Sequence, residues 1–498
     1  MNERYDVVVV GSGAGGGLVA GEVADAGASV LLLEAGPHRT AADFMRWEAR
    51  ANHDIWFPPT LVEPEAPGAP PLAVIRGRCV GGTSTVNTKV ALRPSDEDYA
   101  KWHAASGLVG AGGAPFGAED MAPHFERVEA RLGVRERSDW QKCIHTVAPG
   151  FEALGAGLEP VMSYTDANCM RCGSCLQGCP TNAGKNTMNV YIHPPWVEGR
   201  LTLRAESVVA RVVIEDRGSG PEAVGVQYTG PDGALHTVEA GVVVVAAGAM
   251  GTSHLLLRSG IQETAGGSAS SRLVGRHIGW HPARIIAGLF DEPQDAHRVY
   301  PISAHCMKFQ NDADGGFIVE AATIQDPIGF AVMVADEDGV PMFGRQLNEM
   351  VRQYRCFSGL LTMVTDRNHG TAWIDEDGRD RYSYAWDEVE RERDAVAARF
   401  AREALLAAGA RRVLPSSQSS THVQGGCRMG SDPERSVVNA HGESHDVRRL
   451  FVGDSSVIPS TLSVNPSLTI MSLASRLAQY LAGGEHGYFE GAVAHAAV

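Results

Sequence analysis

This chain lacks an excess of positive charge and any long apolar run. Its 498 residues carry 43 Lys and Arg against 59 Asp and Glu, a formal net charge of −16 at pH 7. That balance argues against nucleic acid or an anionic membrane surface as a partner and leans mildly toward a neutral or cationic small substrate. No apolar stretch approaches the ~20 residues that span a bilayer, so no membrane insertion is expected. The opening "MNERYDVVVVGSG" enters a strand almost at once, without the basic n-region and long apolar h-region of a secretory signal. A cytoplasmic location is the expectation. Repeats at solenoid periods are also missing. What is present, 44% hydrophobic and 20% charged residues, is a globular composition in a chain too long for one compact core, which predicts two interleaved domains.

Three segments share a strand-turn-helix grammar. In "YDVVVVGSGAGGGLVAGEVADAGASVLLLEAG" the run Val7–Val10 reads as a strand buried on both faces, followed by Gly11, Gly13 and Gly16, a small-residue helix, and a second strand ending at Glu34 and Ala35. "GVVVVAAGAMGTSHLLLRSG" repeats the pattern, and "RLFVGDSSVIP" leads into the helix "SLTIMSLASRLAQYLAGG". Between these pieces lie an aperiodic, proline-rich stretch from about Asn52 to Ala73, read as a loop or lid, and several alternating segments typical of antiparallel strands. The helix "WDEVERERDAVAARFAREALLAAGA" is strongly amphipathic and is closed by Gly409. The predicted fold class is α/β: a Rossmann-like nucleotide domain assembled from discontinuous segments 1–100, 195–290 and 440–498. An α+β substrate or cap domain on an antiparallel sheet is inserted at 101–194 and 291–439. It includes a cysteine-rich segment at 165–185.

The spacing G-x-G-x-x-G between strand and helix is a dinucleotide fingerprint. The first glycine permits the turn, the second lets backbone N–H groups reach a pyrophosphate, and the third lets helix pack on strand. The helix N-terminus adds free donors and a favourable dipole. Glu34, about 20 residues on, is placed to bind ribose hydroxyls. The fingerprint alone does not separate FAD from NAD.

Four further blocks carry a resemblance: "RGRCVGGTSTVNTKVALRPSDEDYAKW", "LVGRHIGWHP", "THVQGGCRMG" and "LFVGDSSVIPSTLSVNPSLTIMSLASR". Together they resemble the glucose–methanol–choline oxidoreductases, flavoproteins that oxidise alcohols. The match is weakest from about Phe290 to Gln418, where that family holds its substrate-determining sheet. The resemblance implies FAD, with Glu34 on the adenosine ribose and Gly13, Ala14 and Gly15 at the pyrophosphate. It puts Gly81, Gly82 and Thr83 along the ribityl chain and ring, with Asn87 completing the GGSS-x-x-N pattern. Val209 would meet the adenine, Asp454 the ribityl and phosphate groups, and Asn465 with Pro466 the pyrimidine edge of the flavin. Members that tether the flavin do so through a histidine where this chain has Val86, so non-covalent FAD is expected.

Alcohol oxidation needs a base for the hydroxyl proton while hydride leaves the carbon for the flavin, and a neutral imidazole suits that task. His422 matches the family's base and Asn465 its hydrogen-bonding partner. His281 also falls in a matching block but is read as structural. His441 and His445 are given no role.

Four of the nine cysteines, Cys169, Cys172, Cys175 and Cys179, stand in "CMRCGSCLQGCP", the C-x2-C-x2-C-x3-C-P spacing of bacterial ferredoxins. Three readings stay open: an iron–sulfur cluster, a zinc site or structural disulfide, and structural thiols packed as small hydrophobes. The resemblance supports two of them. Sugar dehydrogenases of the superfamily hold a cluster in such a segment, whereas long-chain alcohol oxidases with a similar stretch are purely flavin enzymes. A cluster implies a redox-protein partner; without one, oxygen or a quinone serves. A non-redox lyase that keeps FAD as structure is a further alternative. The other cysteines, Cys79, Cys143, Cys306, Cys356 and Cys427, are expected to be reduced and structural.

Overall fold

The valines Val7 to Val10 lie buried at the centre of a seven-stranded sheet. They form β1 (Arg4–Val10) of the computed structural model, which describes residues 3–44, 47–65, 72–322, 327–483 and 488. β1 leads into helix α1 (Gly16–Asp25) and strand β2 (Val30–Leu33). β2 runs parallel between β1 and β3 (Leu201–Arg204). On the other flank of β1 lies β4 (Leu235–Val245), also parallel, with Val7 opposite Val242, and helix α2 (Gly248–Arg258) follows it. Much later β5 (Leu450–Val452) returns to pair with β4, and α3 (Ser467–Ala482) packs against α1. Unbroken β-branched runs suit such strands because helices cover both faces. The chain leaves β1 toward one flank and rejoins on the other, so the carboxyl ends of β1 and β4 open a crevice where the strand order reverses.

A second sheet of twelve strands lies beyond that crevice. At its centre Ala283–Leu289 pairs antiparallel with Phe357–Val364, then come Phe317–Ala322 and Ile302–Cys306. Helix Glu388–Ala407 covers one face. Its wholly buried Ala397, Ala401 and Ala404 let it sit close to the strands. At its start the Asp387 carboxylate accepts from Glu390 N–H at 3.0 Å, while Glu390 accepts from Asp387 N–H at 2.8 Å, a reciprocal cap.

Two expectations need correction. The stretch from Asn52 to Ala73 is not simply a loop. Helix Glu48–Ile55 runs into it, and Thr60–Pro64 pairs antiparallel with Leu72–Val74, while residues 66–71 lie outside the described set. Tertiary packing overrides the local signal here, with Ile55 and Trp56 buried against Phe44, Cys79 and Val86. That hairpin and Ala283–Leu289, both assigned from sequence to the nucleotide segments, pair into the second sheet. Part of the strand expected at "GFIVEAATI" and most of the chain after Gly483 also lie outside the described residues. Among the described residues no helix is long and apolar enough to cross a membrane.

Candidate active site

A cleft of about 650 Å³ occupies the crevice, within the roughly 300–1,000 Å³ of ordinary ligand sites. Every FAD contact and catalytic residue singled out from sequence lines it except Gly81. Gly81 lies behind the wall, where its N–H donates to Ser12 Oγ at 2.9 Å and ties the Gly-Gly-Thr-Ser loop to the turn after β1.

That turn is forced by close approach. Gly11 has φ +95°, and a Cβ on it would run into the carbonyl oxygen of Ala246 at the end of β4. A Cβ on Gly15 would strike the carbonyl oxygen of Gly453, just past β5. At Gly13 the opposite holds, since a Cβ would meet nothing within 4 Å. The backbone is thus pressed into the sheet on either side of Gly13 and open beside it. No side chain caps α1, which leaves its first amides for an anionic ligand.

Glu34 is buried at the end of β2. Its Oε2 accepts from Ser12 N–H (3.0 Å) and Ser12 Oγ–H (2.6 Å), and Oε1 accepts from Gly36 N–H (2.8 Å). Burial raises its pKa, and the Ser12 and Gly36 hydrogen bonds work against that rise. Oε1 keeps a lone pair for a ligand hydroxyl. Asp454 differs. Its carboxylate accepts from Gly248 N–H (2.8 Å), Thr252 Oγ (2.5 Å), Ser456 N–H (2.8 Å) and Ser456 Oγ (2.6 Å). The side chain therefore clamps the start of α2 to the segment after β5. Asn87 is likewise engaged, donating to Tyr164 Oη at 2.6 Å. An FAD fits this cradle: open backbone beside Gly13, helix amides, an available carboxylate oxygen and an apolar wall at Val209.

At the other end of the cleft stand His422 and Asn465. Burial pushes the His422 imidazole down to about 4, so it is neutral at physiological pH. The His281 ring packs beside it, centroids 5.2 Å apart. His281 is fully buried, sits at φ +44°, and has no partner for either ring nitrogen. Burial, then the neighbouring His422, holds its pKa well below the usual value. The backbone N–H groups of Trp280 and His281 both donate to Asp366 (2.7 and 3.3 Å), which fixes this unusual conformation. The Oδ1 of Asn465 is also buried and unpaired. Sequence reading took His281 for a structural residue. Its ring lies at the reaction end, and the non-glycine left-handed backbone that marks it is invisible in a sequence.

Lys89 is a residue that sequence reading missed. Its ammonium is wholly buried and donates to the carbonyl oxygens of Ser84 and Thr85, bracing the Gly-Gly-Thr-Ser loop from behind. Burial lowers it to about 8, opposed by nearby Cys175 and Cys179.

Those two thiols belong to the ferredoxin-like segment. Cys169, Cys172, Cys175 and Cys179 line a separate cavity of about 20 Å³, room for about one water. All nine cysteines are free, which removes the disulfide reading. Among the described residues no group of three or more His, Cys, Asp or Glu can hold a metal ion, so the tentative metal assignment of these four is not supported. Left-handed turns at Arg171, Gly173 and Gly178 spread the thiols around the cavity wall, and the space between them is too small for a cluster as it stands. Leu176 of the same segment lines the large cleft, and its carbonyl accepts from Trp56 Nε1 at 3.2 Å. The segment therefore serves as part of the cleft wall.

Comparison with known proteins decides the family. Residues 6–283 and 281–474 match the N- and C-terminal models of the GMC oxidoreductases. The chain is a GMC oxidoreductase. An uncharacterized GMC-type oxidoreductase of Mycobacterium tuberculosis is 30% identical over 95% of this chain and 75% of its own length. Paromamine 6'-oxidase of Streptomyces fradiae is 28% identical over 96% of this chain and 91% of its own. A long-chain-alcohol oxidase of Arabidopsis thaliana is 25% identical over 95% and 67%. Among solved structures, pyridoxine 4-oxidase from Mesorbium loti superposes with TM-score 0.73 at 20% identity, covering 97% of this chain and all of that one. This GMC oxidoreductase is accordingly an FAD-dependent enzyme acting on the CH–OH group of an alcohol.

Proposed function

We propose that this enzyme is an alcohol oxidase with non-covalent FAD, in which His422 takes the hydroxyl proton, Asn465 holds the substrate oxygen, and oxygen is the final electron acceptor. The observation that carries the proposal is an imidazole kept neutral by burial on the cleft wall that also presents Asn465. A neutral ring nitrogen accepts a proton, and an amide N–H donates to the developing alkoxide without titrating. The chemistry FAD supplies when bound is acceptance of the hydride that leaves the substrate carbon. Glu34, Gly13 to Gly15, Gly82, Thr83 and Val209 would hold it, with Asn465 and Pro466 at its pyrimidine edge. At the tethering position Val86 is wholly buried in an apolar cluster and offers no nucleophile. Oxygen is favoured by the oxidase names of the relatives. Nine free thiols fit a reducing, cytoplasmic compartment.

Anaerobic addition of an alcohol to the purified holoenzyme should bleach the flavin absorbance, and admitting air should restore it. Acid precipitation should release the flavin into the supernatant. A lyase that keeps FAD as structure gives no bleaching, and bleaching that air does not reverse points to a quinone or protein acceptor.

A further inference from the structure

The cysteine-rich segment is a loop with a closed neck. Asp166 N–H donates to the Ala183 carbonyl at 2.9 Å and Lys185 N–H to that of Tyr164 at 3.0 Å. Thr165 bridges Gly184 in antiparallel fashion, and Lys185 Nζ meets the Asp166 carboxylate at 2.8 Å. Cys169 and Cys179 stand just inside that neck, on opposite arms, and both line the small thiol cavity. Sulfurs that served only as apolar filler would all be buried; of these four, Cys175 alone is. The thiols also differ in character. Cys179 Sγ accepts from Gly184 N–H at 3.2 Å and lies 3.5 Å from Thr181 Oγ1. Burial acts to raise this thiol, but those hydrogen bonds and the Lys89 charge outweigh it and hold Cys179 below the ordinary value. Burial instead raises Cys169 and pushes Cys175 up to about 12. Of the other cysteines, Cys179 acts on Cys169 most strongly. One sulfur is thus kept as a nucleophile beside a neighbour kept as a thiol, the arrangement that forms a sulfenic acid and then resolves it.

We propose that Cys179 is a site of oxidation by hydrogen peroxide, and that Cys169 resolves the product into a reversible disulfide. The Cys179 thiolate attacks one oxygen of the peroxide and the O–O bond breaks. The departing hydroxide takes up a proton to leave as water, and Cys179 becomes a sulfenic acid. The Cys169 thiol then displaces the hydroxyl as a second water, and an S–S bond forms. Peroxide is reduced to two waters, the two sulfurs are oxidised, and a dithiol restores them by exchange. The bond is a product of this chemistry and no support of the fold, since all nine thiols are free in the resting protein. The source of the peroxide rests on the oxidase reading above, in which oxygen takes the two electrons of each alcohol.

The test begins with reduced holoenzyme, freed of reductant and given a small excess of hydrogen peroxide without any alcohol. Two of the nine thiols should be lost to titration after denaturation, with FAD retained, and dithiothreitol should bring them back. Peptide mapping of the oxidised protein should find Cys169 joined to Cys179. In Cys169→Ser the sulfenic acid has no resolving thiol, so dimedone should label Cys179. In Cys179→Ser the same dose should remove no thiols. Nine thiols left in the wild type, a map joining other cysteines, a dimedone label elsewhere, or equal loss in Cys179→Ser overturns the assignment. Should either variant fail to retain FAD, the wild-type map decides alone. A second arm replaces the peroxide by turnover in air with 1-dodecanol, pyridoxine or paromamine, whichever the enzyme oxidises. The same pair should form, and catalase should prevent it. Oxidation by added peroxide but not by turnover counts against oxygen as the acceptor and leaves the thiol site standing.

Discussion

The two ends of the cleft treat polar groups in opposite ways. At the nucleotide end, the carboxylates of Glu34 and Asp454 are met by backbone and hydroxyl donors of the protein itself. At the reaction end, both nitrogens of His281 and Oδ1 of Asn465 are buried without partners. Networks satisfied internally are rigid and hold a shape before a ligand arrives. Groups left unpaired cost stability and are kept where a ligand or a transferred proton completes them. The first end is built to hold a cofactor through many turnovers, and the second to respond to a substrate that comes and goes.

The sharpest way to break this contrast is His422→Ala. Flavin reduction should fall by about 10²-fold or more, the usual yield of general-base catalysis, with FAD content unchanged. Survival of turnover would remove the imidazole from the mechanism. Next in size, Glu34→Ala strips the acceptor from two backbone N–H groups and a hydroxyl. FAD should bind the apoprotein roughly 10- to 100-fold more weakly, corresponding to about 1–3 kcal/mol, while the reduction rate of the remaining holoenzyme stays near wild type. A titration showing unchanged affinity would mean that the carboxylate serves the turn and not the ligand.

A subtler contrast lies in pH. Burial holds His422 at about 4, below the ordinary 6.5. Between these values the unfolded chain carries a proton that the folded imidazole refuses, so acidification through that window should lower the melting temperature. For the same reason kcat/KM should stay level from pH 7 to well below 6.5 and decline only toward 4; an acid-side limb at or above 6.5 contradicts the neutral base. The smallest effect is expected from Cys172→Ser. In purified protein its iron content should match wild type at background, and flavin reduction should change by less than about twofold, in keeping with the small thiol cavity. Stoichiometric iron lost on substitution would restore the electron-transfer reading.

The nucleotide end was legible in the sequence because its physics is local. Val7–Val10, the spacing of Gly11, Gly13 and Gly16, and Glu34 after the next strand are constraints of one strand-turn-helix unit. The catalytic pair was found through resemblance; an isolated histidine among 18 carries no such signal. Lys89, and the packing of the His281 ring against His422, escaped because distant segments converge there. They depend on a left-handed backbone and a buried ammonium.

The contacts that force Gly11 and Gly15 to lack side chains have a consequence for biosynthesis. The early glycine turn closes against Ala246 and Gly453, so a ribosome must release nearly the whole polypeptide before the flavin's berth exists. Capture of the coenzyme is therefore a late event in maturation, and truncation before β5 should yield a colourless protein however well its first strands have formed.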